Sequence, residues 1–184
     1  MPNYRRTRVA GGSYFFTVVT FERRPLLISA TARACLHRAW QDTRAKHPFS
    51  TDAISLLPDH LHCIITLPEG DSDYPMRWSM IKGLFTKYMQ AAQVLNRASA
   101  GSRARKREAV IWQRRYWEHL IRDEDDLRRH LDYIHFNPVK HGYVFRPADW
   151  EWTSLHRYVR LGWYDAEWGA QGQTGFDDDS EIGE

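Results

Sequence analysis

Hydrophobic and polar positions divide the chain into strands and helices that interleave without internal repeats. Residues 13–20 (SYFFTVVT) are rich in β-branched and aromatic side chains and predict a strand, broken at Arg23-Arg24-Pro25. Residues 31–46 place Ala32, Cys35, Leu36, Ala39 and Trp40 at helical spacing, ended by Pro48. Residues 52–57 and 60–67 predict two strands joined by a tight Pro58-Asp59 turn, hence a hairpin. From 77 to 96, Trp78, Ile81, Phe85, Tyr88, Ala92 and Leu95 step by three and four, the stripe of one long amphipathic helix. Residues 97–107 (RASAGSRARKR) lose all periodicity and read as a basic loop. Strand character returns over 110–121. Asp123-Glu124-Asp125-Asp126 then opens a helix with carboxylates where its dipole favours them. Leu127, Leu131 and Ile134 form that helix's core stripe, with Pro138 and Gly142 marking its end. A short final helix over 149–160 precedes a polar, acidic tail. The fold class these elements predict is α+β, an antiparallel sheet covered by helices on one side. Residues 1–168 form the expected domain, and 169–184 a tail expected to be disordered.

The strand at 60–67 carries the first candidate chemistry. Its period of two puts Leu61, Cys63, Ile65 and Leu67 on one apolar face and His60 with His62 on the other, about 7 Å apart in rise. Two imidazoles so placed can share one divalent ion if a third ligand arrives from elsewhere. A strand that simply carries two half-buried histidines fits the same stretch.

Charge is distributed unevenly. All 26 Lys and Arg residues precede Leu161, while Asp165, Glu167, Asp177, Asp178, Asp179, Glu181 and Glu184 follow it. A basic body rich in Trp and Tyr points to a polyanionic partner, nucleic acid first, because bases stack on exposed rings. Most of those rings are nevertheless expected in the core. Cys35 and Cys63 sit in apolar patterns and suggest no disulfide framework, so a reducing cytoplasm is the expected compartment. No apolar run is long enough to span a bilayer, and the first residues lack a signal-peptide pattern.

On the helix expected over 123–138, Tyr133 and Asn137 are four apart and share a face, and Tyr133 sits roughly opposite the Leu131–Ile134 stripe. If this helix packs beside the sheet, the Asn137 carbonyl oxygen can join His60 and His62 around an ion, one turn from Tyr133. Two imidazoles and an amide suit Mg²⁺ or Mn²⁺ near a phosphate; zinc would prefer a thiolate, and Cys63 points to the wrong face. An ion there would draw charge from a non-bridging oxygen of a phosphodiester while the phenolate attacks phosphorus. Tyr88, a rival nucleophile, lies on an apolar stripe and is expected to be buried. His119, His135 and His141 could substitute as ligands, but none is expected to pair with a neighbour as His60 and His62 do. The acidic run 123–126 is explained by helix capping.

Pro58-Asp59-His60-Leu61-His62 within an apolar strand resembles the histidine–hydrophobic–histidine motif of HUH endonucleases. Residues 133–142 (YIHFNPVKHG) resemble the tyrosine helix of single-tyrosine transposases, and in particular that of the REP-associated tyrosine transposases (RAYTs). Stretches 11–17 (GGSYFFT), 67–71 (LPEGD), 112–119 (WQRRYWEH) and Asp149-Trp150 extend the likeness over about residues 4–168.

The resemblance implies a ferredoxin-like domain, a divalent metal, and cleavage of single-stranded DNA beside repetitive extragenic palindromic (REP) hairpins. Tyr133 would be the nucleophile, leaving a 5′-phosphotyrosine and a free 3′-hydroxyl. His60 and His62 would ligate the metal, with Asn137 where relatives carry Gln or a similar third ligand. The expected DNA contacts, resting chiefly on charge, are Arg5, Arg6 and Arg8 of a basic arm, and Arg114 with Arg115. A monomer is implied; insertion-sequence relatives supply the alternative, a dimer exchanging tyrosine helices. Two other readings stand beside this one: a REP-binding protein with vestigial catalysis, and a metal-dependent nuclease that uses water.

Overall fold

The computed structural model describes residues 7–92 and 111–170. Outside them lie Arg5 and Arg6, the basic loop at 97–107 and the tail from 171 on. The described elements run β1 (Ser13–Val19), α1 (Ala30–Lys46), β2 (Ser50–Leu56), β3 (His60–Thr66), α2 (Tyr74–Ala91), β4 (Trp117–Leu120), α3 (Glu124–Lys140) and α4 (Leu155–Arg160). The four strands are antiparallel in the order β2-β3-β1-β4. With one helix between β1 and β2 and another between β3 and β4, this is the ferredoxin-like double split βαβ. The expected hairpin is present, with Leu56 opposite Leu61.

Helices cover both faces of the sheet, not one as its pattern suggested. Tyr14, Phe16 and Val18 of β1 join Leu61, Cys63 and Ile65 of β3 beneath α1 and α2. The alternate residues Phe15 and Ile64, with Ala53 of β2, pack on Leu131 and Ile134 of α3 and on Tyr158 of α4. The physical reason lies in β1, which is apolar on both faces. Phe15 and Ile64 would otherwise present their side chains to water, at a cost of about 1.5–3 kcal/mol each.

Local chemistry explains most boundaries. Ser29 caps α1 by accepting from Ala32 N, and Asp73 caps α2 by accepting from Met76 N. The second cap starts α2 at Tyr74, ahead of the expected 77, and brings Arg77 into the interior. There its guanidinium donates to Asp71 at 2.7 and 3.2 Å and to the Pro48 carbonyl. Tyr88 is only partly buried, its hydroxyl donating to Asp42; Met89 fills the core position instead.

Three expected elements differ. The strand predicted over 110–121 shrinks to β4 preceded by a single bridge between Thr20 and Trp112. Between them the chain leaves the ladder, and Lys82 of α2 donates to the Gln113 carbonyl beneath the Trp112 and Tyr116 rings. The terminal helix contracts to α4. Pro138 does not end α3, which runs on to Lys140. The missing N–H there frees just one carbonyl, and Gly142 (φ +70°) makes the actual stop. Gly142 N donates to Val139 O and Tyr143 N to Pro138 O, the paired bonds of a Schellman turn.

Candidate active site

His60 and His62 lie on the β3 face that meets α3, and both are buried. Their ring centroids are 4.8 Å apart, closer than the strand rise because the two side chains converge. Two imidazoles on one ion, with metal–nitrogen bonds of about 2.0–2.2 Å, would hold their centroids about 4.5–5.3 Å apart. Each ring is anchored through Nδ1. That of His60 bonds Asp59 Oδ1 at 2.6 Å, and that of His62 bonds Thr17 Oγ1 at 3.0 Å across the β1–β3 register. The Asp59 carboxylate assigns the proton to Nδ1 of His60 and leaves a lone pair on its Nε2. The Thr17 hydroxyl can donate to or accept from Nδ1 of His62, and in accepting leaves the same lone pair on His62 Nε2.

Helix α3 brings up the third donor and the tyrosine. Asn137 is 1% exposed, and among the described residues its Oδ1 and Nδ2 find no hydrogen-bond partner; nor do His60 Nε2 and His62 Nε2. Buried polar atoms are nearly always paired, so four orphans on three neighbouring side chains mark a position built for a bound group. Two imidazole lone pairs with an amide oxygen fit a divalent cation. Burial holds both histidines below their ordinary pKa; for His62 the charges of His60, His141 and Lys140 add to the effect. The adjacent Asn137 amide tempers the shift, although the pair lacks hydrogen-bond geometry. Neutral imidazole is the ligating form. Cys63 faces the other core, where burial pushes its thiol well up, so it supplies no thiolate.

The Tyr133 ring packs edge-on against His62 at 5.1 Å and against Phe15 at 5.9 Å, and it is half-buried. Lys140, two turns further along the same face, holds Nζ 5.1 Å from the centre of the Tyr133 ring. At the C-cap of α3, His141 lies 5.1 Å from the His60 ring. The arrangement therefore gathers a phenol, a cation and three potential ion donors where β3 meets α3. Chemically it can hold a metal and an anion beside a tyrosine hydroxyl.

Of the residues singled out from sequence, His60, His62, Asn137 and Tyr133 come together. Arg8 is exposed ahead of β1, and Arg114 and Arg115 are exposed in the irregular link before β4. Sequence reasoning missed Thr17, Asp59 and Lys140. Asp59 was visible as the neighbour of His60 but read as a turn residue. Thr17 needed the strand register.

His119 also has partners that its sequence neighbours concealed. Its ring stacks on His130 at 4.5 Å, and Nε2 bonds Asp126 at 2.8 Å. Capping accounts for Asp123, which accepts from Asp126 N, but not for Asp126, whose side chain is buried. Ligand atoms of His119, Asp126 and His130 lie within 4.8 Å of one another. Arg122 donates to the same carboxylate through N and Nε, and Arg129 approaches within 3.6 Å. Two guanidiniums already answer that charge, so this cluster is a poorer cation site than the one on β3 and a better hub joining α3 to β4.

No protein-family model matches the chain. It is 44% identical over 170 residues to a Haemophilus influenzae protein designated a REP-associated tyrosine transposase, covering 92% of this chain and 94% of that one. It is 42% identical over 168 residues to the REP-associated tyrosine transposase of Escherichia coli K12, covering 91% of each. Among solved structures it resembles a REP-associated tyrosine transposase bound to a REP hairpin, with a TM-score of 0.75, 40% identity and 91% of each chain covered.

Proposed function

The chain belongs to the REP-associated tyrosine transposases, and from this premise we propose that it cuts and rejoins single-stranded DNA beside REP-type hairpins. The observation that carries the catalytic reading is the group of unpartnered buried donors on His60, His62 and Asn137, with the Tyr133 ring against His62. Divalent metal use comes with the family, and Mg²⁺ or Mn²⁺ suits this donor set. Bound there, the ion would draw charge from a non-bridging phosphate oxygen.

The chain's own residues divide the remaining work. Asp59 and Thr17 hold the two imidazoles through Nδ1, which keeps each Nε2 for the ion. Asn137 offers its carbonyl oxygen from one turn beyond Tyr133. The Tyr133 phenolic oxygen attacks phosphorus, the bond to the 3′-oxygen breaks, and that oxygen leaves with its electron pair and takes a proton. The products are a 5′-phosphotyrosine and a free 3′-hydroxyl, and attack by a 3′-hydroxyl on the same phosphorus reverses the step to join strands. Lys140, over the ring, favours the phenolate and the incoming phosphate by charge. Arg8, Arg114 and Arg115 contact the DNA backbone away from the chemistry, joined by Arg5 and Arg6. The place of action is the bacterial cytoplasm, and a monomer carries a complete donor set.

The test uses a 3′-labelled single-stranded REP hairpin with Mg²⁺ or Mn²⁺, resolved on a denaturing gel. A protein-sized labelled band that vanishes in Tyr133→Phe, with hairpin binding retained, is the expected result. Binding without that band would indicate vestigial catalysis. Cleaved fragments without it would make water the nucleophile.

A further inference from the structure

Glu22 (φ 56°, ψ 27°) and Arg23 (φ 48°) are the two non-glycine residues with positive φ among the described residues, and they are consecutive. Left-handed backbone is unfavourable for residues with a Cβ, and such outliers gather where the surrounding structure over-determines them. Here it does. Thr20 N and Thr20 Oγ1 both donate to the Asp59 carbonyl, at 2.8 and 2.9 Å, and Thr20 Oγ1 also reaches the Arg24 carbonyl. Phe21 N donates to Ile111 O, and Leu27 N to Pro58 O. The strained turn is thereby tied to the two residues immediately before His60.

Its effect is to deliver one side chain. Arg23 Nη1 donates to Asp59 Oδ2 at 3.3 Å, while Asp59 Oδ1 bonds His60 Nδ1 at 2.6 Å. The Arg23 side chain is 47% exposed although Asp59 is only 13% exposed. Through Asp59 the guanidinium stands one carboxylate away from the His60 imidazole, partly open to solvent. We propose that Arg23 is a phosphate-binding residue of this site, holding a backbone phosphate of the single strand next to the one that is cut.

Among the described residues the guanidinium makes one hydrogen bond to Asp59, long and through a single Nη, which keeps most of its five donors for another acceptor. Neutralising Asp59 alone would not require two residues forced into a left-handed turn. A planar fork held beside Asp59 matches the oxygens of a phosphodiester. Lys140 stands over the Tyr133 ring and Arg23 beyond His60, so cations flank the donors from two elements. This inference rests on the reading of the site as one that takes single-stranded DNA.

The test is a binding cycle in the full-length Tyr133→Phe protein, so it stands apart from whether Tyr133 forms a covalent bond. A single-stranded REP hairpin carries one neutral methylphosphonate at a time, stepped through the linkages around the cut. Arg23→Ala is expected to weaken binding of the unmodified strand about 10- to 100-fold. At one linkage the methylphosphonate should then cost the wild-type Arg23 protein about the same factor and the Arg23→Ala protein nothing further. Arg23→Lys should restore part of the loss. Mn²⁺ affinity, measured by calorimetry without DNA, should change less than about threefold, since second-sphere ligand partners are worth more than that. Additive penalties at every linkage, or a fall in Mn²⁺ affinity that tracks the loss of DNA binding, would overturn the proposal and leave Arg23 as a prop for Asp59 and His60. Arg23→Gln, similar in length and uncharged, gives the same reading if the alanine variant does not fold.

Discussion

Replacing Asn137 by Leu should make the metal-free protein more stable and remove its response to metal. Asn137 is 1% exposed, and both of its amide atoms lack hydrogen-bond partners among the described residues. A buried polar group left unpaired costs about 1–3 kcal/mol, and leucine has the same branched outline with no polar atoms. Leucine is also the better helix former within α3, by a few tenths of a kcal/mol. Allowing for imperfect fit, the variant should gain about 1–3 kcal/mol in chelator, or about 3–10 °C in melting temperature for a chain of this size. With Mn²⁺ at a hundred times its dissociation constant, the wild-type protein should gain about 2.7 kcal/mol. The variant, short of a ligand, should lose most of that gain. The two proteins should therefore exchange rank between urea titrations run with EDTA and with Mn²⁺. A variant destabilised by more than about 1 kcal/mol in EDTA would show that the amide is satisfied without an ion. An undiminished response to Mn²⁺ would show that Asn137 does not face it.

The other predictions are read by simpler assays. Asp59→Asn removes the carboxylate behind His60 and should lower Mn²⁺ affinity about 10- to 100-fold with little change in fold, measured by calorimetry and circular dichroism. Asp126→Asn should cost about 3–5 kcal/mol near pH 7, because it strips a buried charge from His119, Arg122 and Arg129. Burial alone would raise the Asp126 pKa, but hydrogen bonds from His119 and Arg122 outweigh it and hold the carboxyl well below its usual range. A depressed carboxyl stabilises the fold above its unfolded pKa of about 3.9 and loses that contribution as pH falls below it. The gap between wild type and Asp126→Asn in urea should thus be full at pH 7 and narrow below about pH 4; a gap independent of pH would remove the charge from the account. Trimming the chain after Gly172 should leave both hairpin cleavage and melting temperature unchanged, since that sequence has no apolar periodicity to pack.

Periodicity by itself determined much of this protein. The alternation in β3 separated Leu61, Cys63 and Ile65 from His60 and His62, because a strand has only two faces. The spacing of four aligned Tyr133 with Asn137, because a helix repeats every 3.6 residues. Ser29 and Asp73 cap their helices through side chains available in the linear sequence.

Partners across the fold could not be read in this way. The apolar run in β1 fits a strand buried on one face or on both, and only the docking of α3 against Phe15 and Ile64 decided which. Pro138 looked like a stop, yet so near the C-terminal end of α3 its missing N–H disturbs little, and Gly142 ends the helix. His119 and Asp126 are seven residues apart on different elements, and only the packing of β4 against α3 joins them. Arg23 stood in a break between elements, and its bond to Asp59 exists because the β1–β3 pairing carries the end of one strand to the start of the other. A sequence pattern says which face of an element avoids water. Which surface comes to cover that face is set by the register and crossing of elements distant in the chain, and His62 meets Tyr133 only once β3 and α3 have packed.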